Sequence, residues 1–241
     1  ISDTGIVAPG TPSVSVGLRG LSYVEVEVTG PSRDLHSGIY GGAVANPINI
    51  LAEMIASLHD SDNRITIPGF YDRVQSLSAD QRADLNKAPF TLEEYKAALD
   101  LSDIHGETGY TTVERTGIRP TLDVNGIWGG YTGDGFKTVL PAEAHAKVSF
   151  RLVSHQDPAK VLTAFRAWAE AQLPADCEIL WHDAVEGSPA SVMEIGDPAF
   201  EQARQALSDE WGRSAAFVGA GGSIPIAGYF KTILGMDAML I

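Results

Sequence analysis

Apolar and polar positions along the chain follow two periods, and the switches between them outline the fold. Residues 21–29, Leu-Ser-Tyr-Val-Glu-Val-Glu-Val-Thr, alternate apolar and polar side chains with Tyr23 out of phase. That is the two-residue period of a half-buried strand, and Gly30-Pro31 ends it. From Ala43 to His59, the residues Ile48, Leu51, Met54 or Ile55 and Leu58 recur at helical spacing, which predicts an amphipathic helix. Alternation returns at residues 121–125 and from Ala144 to Val153, where Ala146, Val148, Phe150 and Leu152 share one face. Asp157-Pro158 opens a second helix with the stripe Val161, Leu162, Phe165, Trp168, Ala169 and Leu173, and Pro174 stops it. Residues 177–181 read as a further strand. Residues 60–118 fit neither period: Ile65-Thr66-Ile67 is a short extended piece, and Ser78 to Leu101 is charged and helix-prone with few core positions. This stretch reads as an insertion.

The element order predicts an α+β fold, an antiparallel sheet covered on one face by two helices over residues 18–187. From about Ser188 the texture changes to a helix over 198–211, a short strand near 216–218, a glycine-rich loop and an apolar terminal strand over 238–241. That order resembles part of an α/β layer. The expected division is therefore 1–17, 18–187 and 188–241. A chain that opens on Ile1 and closes inside an apolar run is expected to be a piece of something longer.

Composition narrows the function. The 44% hydrophobic content suffices for a sizeable core. With 31 acidic residues against 17 Lys and Arg, the net charge of -14 repels a phosphate backbone, which argues against a nucleic-acid partner. No apolar run reaches the roughly 20 residues that span a bilayer, so no membrane partner is expected. Cys177 is the single cysteine, which excludes an intramolecular disulfide and fits a reducing, cytoplasmic setting.

The most specific stretch is Arg33-Asp34-Leu35-His36-Ser37-Gly38-Ile39-Tyr40-Gly41-Gly42-Ala43-Val44-Ala45-Asn46-Pro47, between strand and helix. Three further segments agree in order with it: Ile1-Ser2-Asp3 before it, and after it the pair 135–141 (Gly-Phe-Lys-Thr-Val-Leu-Pro) and 149–153 (Ser-Phe-Arg-Leu-Val), then Gly221-Gly222-Ser223-Ile224-Pro225. Together they resemble the carnosinase-like zinc dipeptidases, within the family that also contains aminoacylases, acetylornithine deacetylases and glutamate carboxypeptidases. The resemblance implies a lid and dimerisation domain flanked by an incomplete α/β zinc-hydrolase domain. It further implies a homodimer acting on a small peptide, in which His36 enters the partner's active site, Asp3 ligates zinc, and Arg151, Thr138 and Ser223 contact substrate. The parent would use two zinc ions, with manganese as an alternative. One ligand among several required means that this chain alone is not expected to hold them tightly.

The side-chain chemistry agrees. An imidazole at His36 can donate to a developing oxyanion, although a loop histidine can also just cap a turn. Arg151 alternates onto the face opposite Val148, Phe150 and Leu152, where a guanidinium suits a carboxylate. Thr138 and Ser223 offer hydroxyls in glycine-flanked loops, or merely turn residues that bond their own backbone. Asp3 would be dismissed as a surface charge without the resemblance. His59, His105, His145, His155 and His182 lie in contexts that suggest no metal. Two departures from the family pattern, Gly219-Ala220 before the glycine loop and Val185 where relatives often carry a histidine, leave recognition of the substrate's amino end open. The glycine loop lacks the lysine of a nucleotide cradle, and Pro225 is expected to block a helix after it. No Gly-x-Ser-x-Gly elbow supports a serine hydrolase. The alternatives are an inactive dimerisation module, or a parent that is an N-acyl amino acid deacylase or carboxypeptidase.

Overall fold

Strand β1 (Ser13–Leu18) runs into β2 (Gly20–Thr29) with only Arg19 between them, yet the two serve different sheets. The computed structural model describes residues 10–86, 91–182, 187–193 and 196–241, and its fold is mixed α+β with three small sheets.

The largest sheet is antiparallel, in the order β4 (Thr121–Gly129), β6 (Glu143–Leu152), β2, β7 (Glu178–His182). β2 and β6 pair along their whole lengths, from Gly20↔Leu152 to Thr29↔Glu143. On one face Val24, Val26, Val28, Ala144, Ala146, Val148, Phe150 and Leu152 are buried. Helices α2 (Pro47–Ala56) and α6 (Pro158–Glu170) cover that face with Leu51, Val161, Leu162 and Phe165. The ring of Phe150 meets that of Phe165 edge-on at 5.3 Å. Truncating either to Ala would cost about 3–5 kcal/mol. Among the described residues no other helix packs on β2 or β6 to a like extent, and the opposite face presents Glu25, Glu27, His145, Lys147 and Arg151.

The first helix starts later than its periodicity suggests. Asn46 caps α2 by accepting from Ile48 N at 3.0 Å, and Pro47 occupies the first helical position, where a missing N–H costs nothing. Upstream lie β3 (Leu35–His36) and the single turn α1 (Ser37–Tyr40), and β3 pairs with β5 (Val139–Leu140).

The inserted stretch carries three short helices, α3 (Ala79–Leu85), α4 (Leu92–Ala98) and α5 (Thr112–Gly117). Beyond Ile65, Ile67 and Phe70, which join the main core, charge rather than an aliphatic stripe holds it together. Arg119 grips the buried Glu107 with two bonds of 2.7 Å, and Arg64 adds a third at 2.9 Å. Arg82 likewise clamps the fully buried Glu114. Such paired charges are invisible to an apolar-periodicity reading.

The remaining sheet has the order β8 (Ser191–Val192), β1, β9 (Ala216–Ala220), with β9 parallel to β1. α7 (Pro198–Trp211) and α8 (Pro225–Leu234) flank it, and Val14, Leu18, Phe200, Ala227 and Leu240 form its core. Two expectations are corrected here. Pro225 does not block a helix: it opens α8 at the first position, again because that N–H has no partner to lose. The end of the chain is no strand either, since Leu240 makes only an isolated bridge to Ser15, although it is buried. No helix among the described residues is long and apolar enough to cross a membrane.

Candidate functional site

The hydrogen bonds sort the expected site residues into two pairs at opposite ends of the large sheet. Asp3 lies outside the described residues.

At one end, the β3–β5 pairing sets His36 opposite Val139, and Ser37 N donates to Thr138 O at 3.0 Å. The imidazole Nδ1 accepts from Gly38 N at 3.1 Å and caps α1. The neutral ring therefore carries its hydrogen on Nε2, which faces Thr138 Oγ1 at 3.1 Å. A side chain at Gly38 would press its Cβ to 3.0 Å from the ring, so glycine lets the backbone pass beneath the imidazole. The rest of the motif is scaffolding: Asp34 Oδ1 accepts from Ala142 N at 3.1 Å, and Asn46 caps α2. His36 is exposed, and within the chain its Nε2–H goes to Thr138.

At the other end Arg151 pairs across the sheet with Leu21 and Thr121. Its Nη1 donates to Ser223 Oγ at 2.9 Å, and Ser223 Oγ donates to Arg19 O at 2.6 Å. Arg19 locks the glycine loop further: its N donates to Gly222 O at 3.1 Å and its Nε to Gly221 O at 2.8 Å. Gly221 passes so close to α5 that a Cβ there would meet Thr116 O at 2.7 Å. α8 begins just beyond this loop with no side chain capping it, so its N–H groups add a positive end. Burial, then the neighbouring Arg151, pull Arg19 down to about 10, with Asp123 opposing, and it stays cationic at neutral pH. Among the described residues neither Arg19 nor Arg151 has a carboxylate within ion-pair distance. Two guanidiniums, a hydroxyl and a helix N-terminus then converge without an anion, an arrangement suited to a carboxylate.

Arg19 gives no signal in the sequence because its partners lie 96 or more residues away. Thr138 lies with His36 and apart from Arg151 and Ser223. Arg151 and Glu143 are eight residues apart on β6, roughly 25 Å at about 3.3 Å per residue, and Thr138 lies beyond Glu143. One small substrate cannot touch both ends of one chain.

A family model of the M20 peptidase dimerisation domain matches residues 16–177. The Cys-Gly metallodipeptidase DUG1 of Candida albicans is 30% identical over 243 residues, which cover 100% of this chain and 50% of that protein. The Beta-Ala-His dipeptidase of Homo sapiens is 28% identical over 251 residues, covering 100% and 48%. Among solved structures, the di-peptidase Dug1p of Saccharomyces cerevisiae superposes with TM-score 0.87 at 30% identity, covering 100% of this chain and 51% of that one. The M20 metallo-carboxypeptidase Sso-CP2 of Sulfolobus solfataricus gives 0.85 at 31%, covering 100% and 62%. The chain spans about half the length of the curated dipeptidases it matches.

These relatives are metallopeptidases, which makes the donors at the Arg151 end informative. Among the described residues the one cluster of His and carboxylate ligand atoms in mutual reach is Glu27, Glu143 and His145. Its Glu27–His145 pairing lies six residues along the sheet from Leu21↔Arg151. The described residues around Arg151 and Ser223 therefore do not fit a metal centre.

Proposed function

Because the chain belongs to the M20 peptidase family through its dimerisation domain, we propose that it supplies the substrate-gripping and trans-acting residues of a homodimeric amide hydrolase for dipeptides. The observation that carries this reading is the Arg151–Ser223 pair, with Arg19 behind it and no carboxylate partner among the described residues. Arg151, Ser223 and the start of α8 receive the substrate's free carboxylate. His36 of the other protomer approaches the scissile carbonyl and donates its Nε2–H to the oxygen as negative charge develops there. Thr138 holds that ring in place until substrate arrives. The two ends are too far apart to act within one chain, and a two-fold dimer, in which each surface meets the other, supplies the missing partner. The metal ions and the general base belong to the rest of the protein. Zinc is expected there, with manganese as an alternative, and Asp3 is the one ligand this chain would contribute.

A second reading, a carboxypeptidase, is favoured by the same carboxylate grip and by the likeness to Sso-CP2. Assaying the whole protein with zinc or manganese on peptides of graded length, each with a free or an amidated C-terminus, separates the readings. The dipeptidase reading expects cleavage of free dipeptides, with longer peptides left intact. Cleavage of longer peptides selects the carboxypeptidase. Equal turnover of free and amidated dipeptides would contradict both.

A further inference from the structure

We propose that Glu27, Glu143, His145 and His182 form a divalent-cation site on the face of the four-stranded sheet opposite α2 and α6, with zinc as the ion its donors suit. Two imidazoles and two carboxylates come together there from three neighbouring strands. Glu27 on β2 sits opposite His145 on β6, and β7 brings His182 in from the other side. Ligand atoms of Glu27, Glu143 and His145 all lie within 4.8 Å of one another, and His182 Nε2 is hydrogen-bonded to Glu27 Oε2. Donors about 2.0–2.2 Å from a tetrahedral zinc are separated by roughly 3.5 Å, so small side-chain rotations close the Glu27, Glu143 and His145 trio, and His182 completes the set by turning in from the β7 side of Glu27. Nitrogen and carboxylate oxygen in this ratio are common zinc donors.

Two further features favour an ion here. The His145 ring stacks on Trp128 with centroids 4.8 Å apart and planes within 1° of parallel, which fixes its orientation. Its Nε2 faces Glu143 Oε1 at 3.4 Å, which aims that nitrogen into the cluster. The nearest cation, Lys147, is drawn aside by Glu25 at 3.5 Å and leans over Trp128. None of the four residues belongs to the substrate sites.

The position gives the ion a task. β6 begins at Glu143, and Ala142 just before it accepts from Gly30 N and donates to Asp34. From there the chain passes back into the β3–β5 pair that holds His36 and Thr138. An ion joining β2, β6 and β7 fastens the base of that strand pair.

The test is zinc titration of the metal-stripped 241-residue chain by calorimetry, with cobalt absorption reporting geometry and thermal unfolding reporting stability. One saturable equivalent is expected, with tetrahedral cobalt bands and a raised Tm. Asp3→Ala should leave it unchanged. His145→Gln should weaken it by roughly tenfold or more, and the more exposed His182→Gln and Glu143→Gln give the same readout should His145→Gln fail to fold. Absence of saturable binding, binding lost in Asp3→Ala, or binding unchanged in His182→Gln and Glu143→Gln would overturn the proposal.

Discussion

The two ends of the large sheet are built in opposite ways. The His36 end is local: ring, cap, glycine and helix start fall within residues 34–47, and only the β5 strand with Thr138 and Ala142 comes from elsewhere. The Arg151 end is assembled from three distant segments, with Arg19 bonded to the glycine loop 202 residues away and Ser223 to Arg151 72 residues away. Contiguous elements can be exposed and still hold their shape, because each bond closes a short loop. The network that joins two sheets is part-buried, and it loosens if either sheet moves. On the proposed function, a donor that has to reach another protomer would sit on the first kind of scaffold, and a grip on the substrate's charge on the second.

The largest effects should come from the two ends in different kinetic terms. In the whole protein His36→Ala should lower kcat by roughly 10²–10³ with little change in KM, as expected for a donor used only in the transition state. Arg151→Lys keeps the charge but loses the fork. It should act mainly through KM, reducing kcat/KM by about tenfold to a hundredfold, a loss of roughly 1.4–2.7 kcal/mol. Steady-state kinetics on one dipeptide distinguish the two, and identical signatures would erase the contrast.

The same distinction governs where the sequence was informative. The strands over 21–29 and 144–153, the helix over 158–170 and the His36 loop were legible because each is written in one stretch with its own period or caps. Arg19, lying between two strands, gives no local signal. α8 was missed because its proline was read as a breaker, although at the first helical position it is a starter. The inserted stretch stayed opaque because paired charges replace an apolar stripe in its interior.

Acid should sharpen the comparison further. α5 backs the glycine loop at Gly221, and it is held by Glu114, whose carboxyl the Arg82 guanidinium pulls from 4.5 down to about 2. A carboxyl depressed in the folded state stabilises above its unfolded value and loses that contribution as pH falls through the folded one. Between about pH 4.5 and 2 the Arg151 end should therefore loosen first. Hydrogen exchange should show protection falling around residues 112–119 and 219–223 before residues 35–40, and Glu114→Gln should remove the acid-dependent part. A smaller effect is expected from Asn46→Ala, which deletes the α2 cap and should cost about 1 kcal/mol by denaturant unfolding, with no change in how substrate carboxylate is bound.

The central claim is that His36 and Arg151 serve one substrate from two different protomers. Mixing His36→Ala and Arg151→Ala subunits of the whole protein under conditions of subunit exchange tests it directly. Random pairing makes half the dimers mixed, each with one intact composite site, so activity should recover to about one quarter of wild type. Activity that stays at the level of either variant alone would place both residues in the same protomer's site and contradict the account.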